Sequence, residues 1–227
     1  MKLRIGTALL VAATAGLGWA QRTVTFPLGN GVAEVQGDLY GSGTRGLVLA
    51  HGGRFDEKSW KKQAEVFAQH GFVVLAVRYR GDRLNSDGSP SAEGSYPDNA
   101  ADVLAAVAYL RRTGAKTVDA IGASLGGDAV GNADAMSAPG TFTCVMFLGS
   151  EGGDAPEKLS GRKLFLVARD DKSGDGPRLP GIEAHYARAP EPKKLVIVGG
   201  SAHAQYLFDT DQGPRVMKEI LGFLEGR

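Results

Sequence analysis

The chain has 227 residues, of which 43% are hydrophobic and 22% charged, a length and balance that suit one globular domain and exclude a disordered or fibrous chain. Its 26 basic residues are matched by 25 acidic ones, and the two signs are interspersed, so neither a nucleic-acid surface nor a patch for anionic membranes is expected. Cys144 is the single cysteine, which excludes an intramolecular disulfide and leaves stability to packing.

The chain opens with Lys2 and Arg4, then an apolar run from Ile5 to Trp19, with small residues Gly18 and Ala20 where a signal peptidase reads. This pattern predicts a signal peptide over 1–20, cleavage after Ala20, export to the periplasm or the medium, and one mature domain over 21–227. The run is diluted by Gly6, Gly16 and Gly18 and falls short of the ~20 strongly apolar residues that an anchor needs. No stable membrane insertion is expected after cleavage. Removing Lys2 and Arg4 takes the basic count from 26 to 24, close to neutrality, which suits small neutral partners.

Arg22 to Phe26 and Val32 to Tyr40 alternate polar and apolar residues and predict an antiparallel edge. From Gly46 onward strand and helix patterns alternate. The strand candidates are Leu47 to Ala50, Phe72 to Arg78, Thr117 to Ile121, Cys144 to Leu148, Leu164 to Ala168 and Leu195 to Val198. Nearly all are continuous apolar runs, as parallel strands covered on both faces should be. Cys144, inside such a run, is expected to be a buried and inert thiol.

The first helix is expected from near Glu57, with Trp60, Ala64, Phe67 and Ala68 on one face and His70 as a capping charge at its end. A second carries Val103, Val107 and Leu110. It is opened by Pro97 and Asp98 and stopped by Gly114. A last one sets Val216, Ile220, Phe223 and Leu224 on one side. With no repeat, low-complexity tract or internal linker, the fold class is α/β: a doubly wound, mostly parallel sheet flanked by helices.

The chemistry centres on Gly122-Ala123-Ser124-Leu125-Gly126-Gly127, which follows the strand Thr117 to Ile121 and precedes a helix-compatible stretch from Asp128 to Met136. This is the G-x-S-x-G nucleophile elbow. The strand-to-helix turn is so tight that side chains near the serine would collide with one another or with the backbone; Gly122 and Gly126 relieve that crowding, and the serine is held strained with its hydroxyl outward. The helix N-terminus supplies N–H groups and a positive dipole end suited to an oxyanion. A serine hydroxyl alone is a poor nucleophile, so a base and an orienting acid are required. His203 sits in the small-residue loop after the strand Leu195 to Val198. Arg169-Asp170-Asp171 closes the strand Leu164 to Ala168, at the edge where an open parallel sheet builds its sites. Asp170 and Asp171 are adjacent, and only one can face His203. Of the other histidines, His185 is expected in a proline-flanked surface segment, away from the catalytic edge with His70, and His51 as a structural residue bonding loop backbone. His51-Gly52-Gly53-Arg54 is the candidate second half of an oxyanion hole, with the N–H of Leu125 as one donor and that of Gly53, or alternatively Arg54, as the other.

Taken together, His51-Gly52-Gly53, Arg80-Gly81, the Ser124 elbow, Asp171 and Gly200-Ser201-Ala202-His203 resemble the α/β-hydrolase superfamily, in particular its small bacterial esterases and dienelactone-hydrolase-like members. The resemblance runs from Gly46 to the C-terminus. It implies a nucleophile-acid-base order of Ser124, Asp171 and His203. The family's spacing of the acid, three residues beyond a small residue closing the strand, selects Asp171 counted from Ala168. Dienelactone hydrolases proper carry cysteine at the elbow, and epoxide hydrolases and haloalkane dehalogenases carry aspartate, so Ser124 points away from those chemistries. Only Gly149 to Arg162 separates two strands where lipases insert a cap, so no cap domain is expected.

The resulting expectation is a carboxylic ester hydrolase with no cofactor and no metal. It works through Ser124, His203 and Asp171 by way of an acyl-enzyme. Its substrates are small-molecule esters with short acyl groups, because an open cleft rimmed by the polar loop Gly81 to Tyr96 offers no tunnel for a fatty chain. The rivals are a peptidase or thioesterase with the same three residues, and a catalytically silent binding protein on this fold.

Overall fold

The computed structural model describes residues 21–29, 31, 33–81 and 99–226. The expected signal segment, Val32, the helix start at Pro97 and Asp98, and the loop up to Tyr96 beyond Gly81 lie outside the described residues.

Apolar runs become strands where both of their faces can be covered. β1 (Arg22–Pro27) and β2 (Glu34–Tyr40) form the edge, followed in the chain by β3 (Arg45–Ala50), α1 (Lys61–Gln69), β4 (Phe72–Arg78), α2 (Asn99–Arg112) and β5 (Thr117–Ala123). Then come α3 (Leu125–Met136), β6 (Cys144–Leu148), β7 (Arg162–Ala168), the two-residue strands β8 (Lys172–Ser173) and β9 (Gly176–Pro177), α4 (Leu179–Arg188), β10 (Lys193–Val198) and α5 (Gly213–Leu224). The main sheet has eight strands in the order β1-β2-β4-β3-β5-β6-β7-β10. β2 runs antiparallel to β1 and β4, and every other pair is parallel. The β4-β3-β5 order places β3 and β5 side by side at the centre, so the segments leaving their carboxyl ends, one toward His51 and one toward Ser124, emerge together.

Strand alternation divides the core in two. Leu47 and Leu49 of β3 pack with Trp60, Phe67, Val216 and Ile220, on the side of α1 and α5, whereas Val48 and Ala50 pack with Val103, Val107, Leu110 and Val130, on the side of α2 and α3. Such double coverage explains why these strands carry so few polar residues. Cys144 is buried, its thiol donating to Asp119 Oδ1 at 2.9 Å. Burial pushes both this thiol and the Asp119 carboxyl above their ordinary ranges, so Cys144 is held as the unreactive thiol.

Three local features differ from expectation. The helix after the elbow begins at Leu125 rather than Asp128, immediately beyond the serine. A 3-10 turn, Glu57–Trp60, precedes α1, and Asp56 caps it by accepting from the Lys58 N–H. The proline-flanked surface segment containing His185 is a helix, α4. Pro180 lies in its first turn, where a missing N–H breaks no helical bond, and Leu179, Ile182 and Tyr186 fall on one face against the sheet. Among the described residues, the stretch between β6 and β7 holds only the short 3-10 turn Pro156–Lys158, and no cap is evident.

Candidate active site

The elbow is a steric construction. Ser124 has φ 50° and ψ −120°, a conformation that costs a non-glycine residue of order 1–3 kcal/mol. The neighbouring glycines are required by space. A Cβ on Gly122 would lie 2.1 Å from the Gly126 carbonyl oxygen, and one on Gly126 would lie 2.2 Å from that of Ala50. The Ser124 N–H donates to Leu148 O at 2.9 Å and its carbonyl accepts from Gly127 N–H at 2.7 Å, which clamps the turn between β6 and the first turn of α3.

His203 and Asp171 reach the elbow from two other strand ends. β7 and β10 are paired in parallel with Ala168 opposite Val198. Their exits remain bonded, Arg169 N–H to Val198 O at 2.9 Å and Asp170 N–H to Gly200 O at 3.0 Å. That pairing turns Asp170 to solvent and Asp171 inward, where it is 1% exposed. His203 Nδ1 lies 2.8 Å from Asp171 Oδ2, and His203 Nε2 lies 2.8 Å from Ser124 Oγ. The ring therefore bridges the two with one nitrogen each. Gly149, at φ 59°, makes room for the bridge, since a Cβ there would stand 3.1 Å from both Asp171 Oδ2 and His203 Nδ1.

Leu125 is the first residue of α3, so its N–H has no acceptor within the helix. Both Leu125 and Gly53 line a cavity of about 620 Å³ that also holds Ser124 and His203, and Arg54 lines it too. The Gly52-Gly53 turn is fixed by Gln205, a residue that sequence reasoning did not single out. Its Oε1 accepts from the Gly52 N–H at 2.8 Å and its Nε2 donates to Ser59 Oγ at 2.8 Å. No sequence signal marks it, because its partners are 153 and 146 residues away. His51 is fully buried, its Nδ1 3.0 Å from Gly52 O and its ring against Tyr79, as a structural histidine should be. His70 is the C-terminal cap of α1.

A protein-family model described as the alpha/beta hydrolase family matches residues 47–209. The chain belongs to the α/β hydrolase family. Hydrolysis is the activity class which that membership supports. The fold of this hydrolase is also that of a dienelactone hydrolase from Anabaena variabilis ATCC 29413, with 22% identity, a TM-score of 0.71, and coverage of 89% of this chain and 95% of the other. A dienelactone hydrolase-like promiscuous phosphotriesterase, P91, from metagenomic libraries has 17% identity and a TM-score of 0.71, with 91% and 98% covered. The esterase RhEst1 from Rhodococcus sp. ECU1013 has 16% identity and a TM-score of 0.67, with 89% and 98% covered. At these identities the likeness is one of fold. Compared by sequence with curated proteins, the hydrolase matches none.

A second cavity of about 450 Å³ also borders Ser124 in this hydrolase, and its wall is largely polar: Asp128, Ser150, Glu151, Asp154, Arg178 and His185. His185, expected far from the site, is carried here by α4, and its Nε2 lies 3.1 Å from Glu151 Oε2. Asp128 Oδ1 accepts from Ser150 Oγ at 2.7 Å and from the Gly153 N–H at 3.4 Å, and burial pushes its carboxyl above the ordinary range despite those bonds. Arg178 arrives through the β8-β9 hairpin, which returns the chain so that the Arg178 N–H donates to Asp171 O at 2.9 Å. Its Nε stands 3.7 Å from Asp171 Oδ1, an ion pair without a hydrogen bond. Among the described residues no group of three or more His, Cys, Asp or Glu is arranged to hold a metal ion, and no helix is long and apolar enough to cross a membrane.

Proposed function

We propose that this hydrolase cleaves carboxylic esters with Ser124 as nucleophile, His203 as base and Asp171 as the acid that orients it. The observation that carries the reading is the His203 ring, with one nitrogen 2.8 Å from Ser124 Oγ and the other 2.8 Å from a buried carboxylate. Asp171 holds the proton on Nδ1, so Nε2 is left to accept the Ser124 proton as Oγ attacks the ester carbonyl. The tetrahedral oxyanion is met by the Leu125 N–H and, on the other side, by the Gly53 N–H. Losing one such donor typically costs ~3 kcal/mol of transition-state stabilisation. His203 then protonates the departing alkoxide, and water repeats the sequence on the acyl-enzyme. Neighbours of the same fold include proteins described as esterases, which agrees with an ester substrate.

The test is labelling with a fluorophosphonate, which reacts only with an activated serine, alongside turnover of short p-nitrophenyl esters. Labelling and turnover that both vanish in Ser124→Ala support the reading. Turnover that survives the substitution rejects it. Hydrolysis rates on ester, amide and thioester analogues of one acyl group are expected to rank the ester first. Short acyl groups from acetyl to butyryl are expected to exceed palmitoyl in kcat/KM, because each buried CH₂ gains ~0.8 kcal/mol only where an apolar wall continues. Export is part of the same proposal, checked by finding Gln21 at the N-terminus of the protein recovered from the periplasm or medium.

A further inference from the structure

Ser124 lines two cavities of different character. The larger one is walled by Leu125, Phe55, Ala204 and Tyr206 with the cationic Arg54 and Lys172, the smaller one by the carboxylates described above with Ile182 its one large apolar residue, and Arg178 lines both. If Ser124 is the nucleophile, the attacked carbon carries three other substituents: the oxyanion, the leaving oxygen and the acyl chain. The donors proposed for the oxyanion line the larger cavity, and so does His203, which must protonate the leaving oxygen. Two of the three directions are thereby taken on that side. The acyl chain is left with the smaller cavity.

We propose that the smaller cavity is an acyl subsite and that it selects short acyl groups ending in a protonated amine, with Glu151 as the recognising carboxylate. The proposal rests on the ester-hydrolase reading above. The wall is built to present this carboxylate. On α4, Gly181 and His185 lie one turn apart. A Cβ at Gly181 would fall 2.2 Å from Glu151 Oε1, so the helix leaves space for that oxygen, and His185 Nε2 lies 3.1 Å from the other one. Glu151 is half-exposed beside His185, which leaves its oxygens accessible to a ligand.

The charge balance selects a cation. Asp128, Glu151 and Asp154 face one guanidinium, that of Arg178, and Arg178 already stands against the buried Asp171. Asp154 is engaged by the Asn132 amide at 3.0 Å, and Asp128 by Ser150 and Gly153, so Glu151 has the most capacity left for a ligand. A hydrocarbon chain in this cavity would strip water from those carboxylates with nothing in return, whereas an ammonium would gain a charge-assisted hydrogen bond.

The experiment compares ethyl butanoate with the ethyl ester of β-alanine, each rate divided by that ester's uncatalysed hydrolysis rate at the assay pH, where the amine is protonated, to remove the inductive effect of the ammonium. The wild-type protein is expected to favour the β-alanyl ester by about tenfold or more in kcat/KM, and Glu151→Gln to cut that ratio about tenfold, mainly through KM. Glu157→Gln removes an equal charge from an exposed carboxylate paired with Arg188 outside both cavities, and is expected to leave the ratio in place. A wild-type preference for butanoate, or a ratio that falls equally in both variants, overturns the subsite. Fluorophosphonate labelling separates the two levels. A labelled protein without amine preference overturns the subsite alone, while an unlabelled one overturns the nucleophile reading and the subsite with it.

Discussion

The elbow and the two loops that meet it are built by different means. Ser124 is positioned by collisions at the turn itself: Gly122 against Gly126 within one stretch, Gly126 against Ala50 at the end of the neighbouring β3, and a helix that must start at Leu125. Asp171 and His203 are positioned by the pairing of β7 with β10, by Gly149 standing clear of both, and by hydrogen bonds between segments about thirty residues apart. The crowded turn tolerates almost no substitution and needs only the adjacent ends of β3 and β6. The loop arrangement tolerates many backbone paths, but it depends on the whole sheet being assembled.

The comparison can be broken at several points, in order of expected effect. Ser124→Ala is expected to lower kcat by about 10⁶ with an unchanged Tm, since it removes one oxygen and no support; a residual rate within tenfold of wild type would show that the elbow carries no chemistry. Asp171→Asn is expected to lower kcat by about 10⁴ through the wrong histidine tautomer, and Asp170→Asn, on an exposed side chain, by less than about twofold on the usual scale of surface changes. Equal losses in steady-state kinetics would reject the loop geometry.

Gly126→Ala probes the steric half. Its methyl would meet backbone rather than a movable side chain, so a stability loss of about 3 kcal/mol is expected in urea denaturation, together with lost activity. A stable and active variant would show that the turn is not held by crowding. Gln205→Ala frees the Gly52 N–H and Ser59 while sparing the three reacting side chains, and a loss of about 1–2 kcal/mol in transition-state stabilisation is expected, read as kcat/KM at constant fluorophosphonate stoichiometry. An unchanged kcat/KM would remove Gln205 from the support of the Gly52-Gly53 turn.

The smallest effect concerns pH. Burial raises the folded-state pKa of Asp128 above its unfolded value, so the folded protein binds this proton more readily. Its contribution to stability is therefore fully present below the unfolded pKa near ~4 and is lost as pH rises through the folded value. Asp128→Asn keeps an acceptor for Ser150 and removes the titration. The Tm of the variant relative to wild type is expected to climb as pH rises from about 4 and then level off, and a flat difference would place the titration elsewhere.

The sequence by itself determined whatever depends on short-range sterics and on periodicity. The continuous apolar runs announced a parallel sheet because strands covered on both faces cannot alternate with polar residues. The glycines flanking Ser124 announced the elbow because only glycine fits where backbone is 2.1 to 2.2 Å from a would-be Cβ. The proline-rich stretch around His185 was misleading, because Pro180 in a first turn breaks no hydrogen bond and α4 forms there. Only the tertiary structure decided what depends on distant segments meeting. It turned Asp171 inward and Asp170 to water, because β10 holds the backbone of that loop. It set Gln205 under Gly52 across 153 residues, brought Arg178 back to Asp171 through a hairpin, and carried His185 to Glu151 beside Ser124. Residue spacing holds no record of such meetings, because each is fixed by the packing of a sheet and its helices rather than by any preference of the residues that meet.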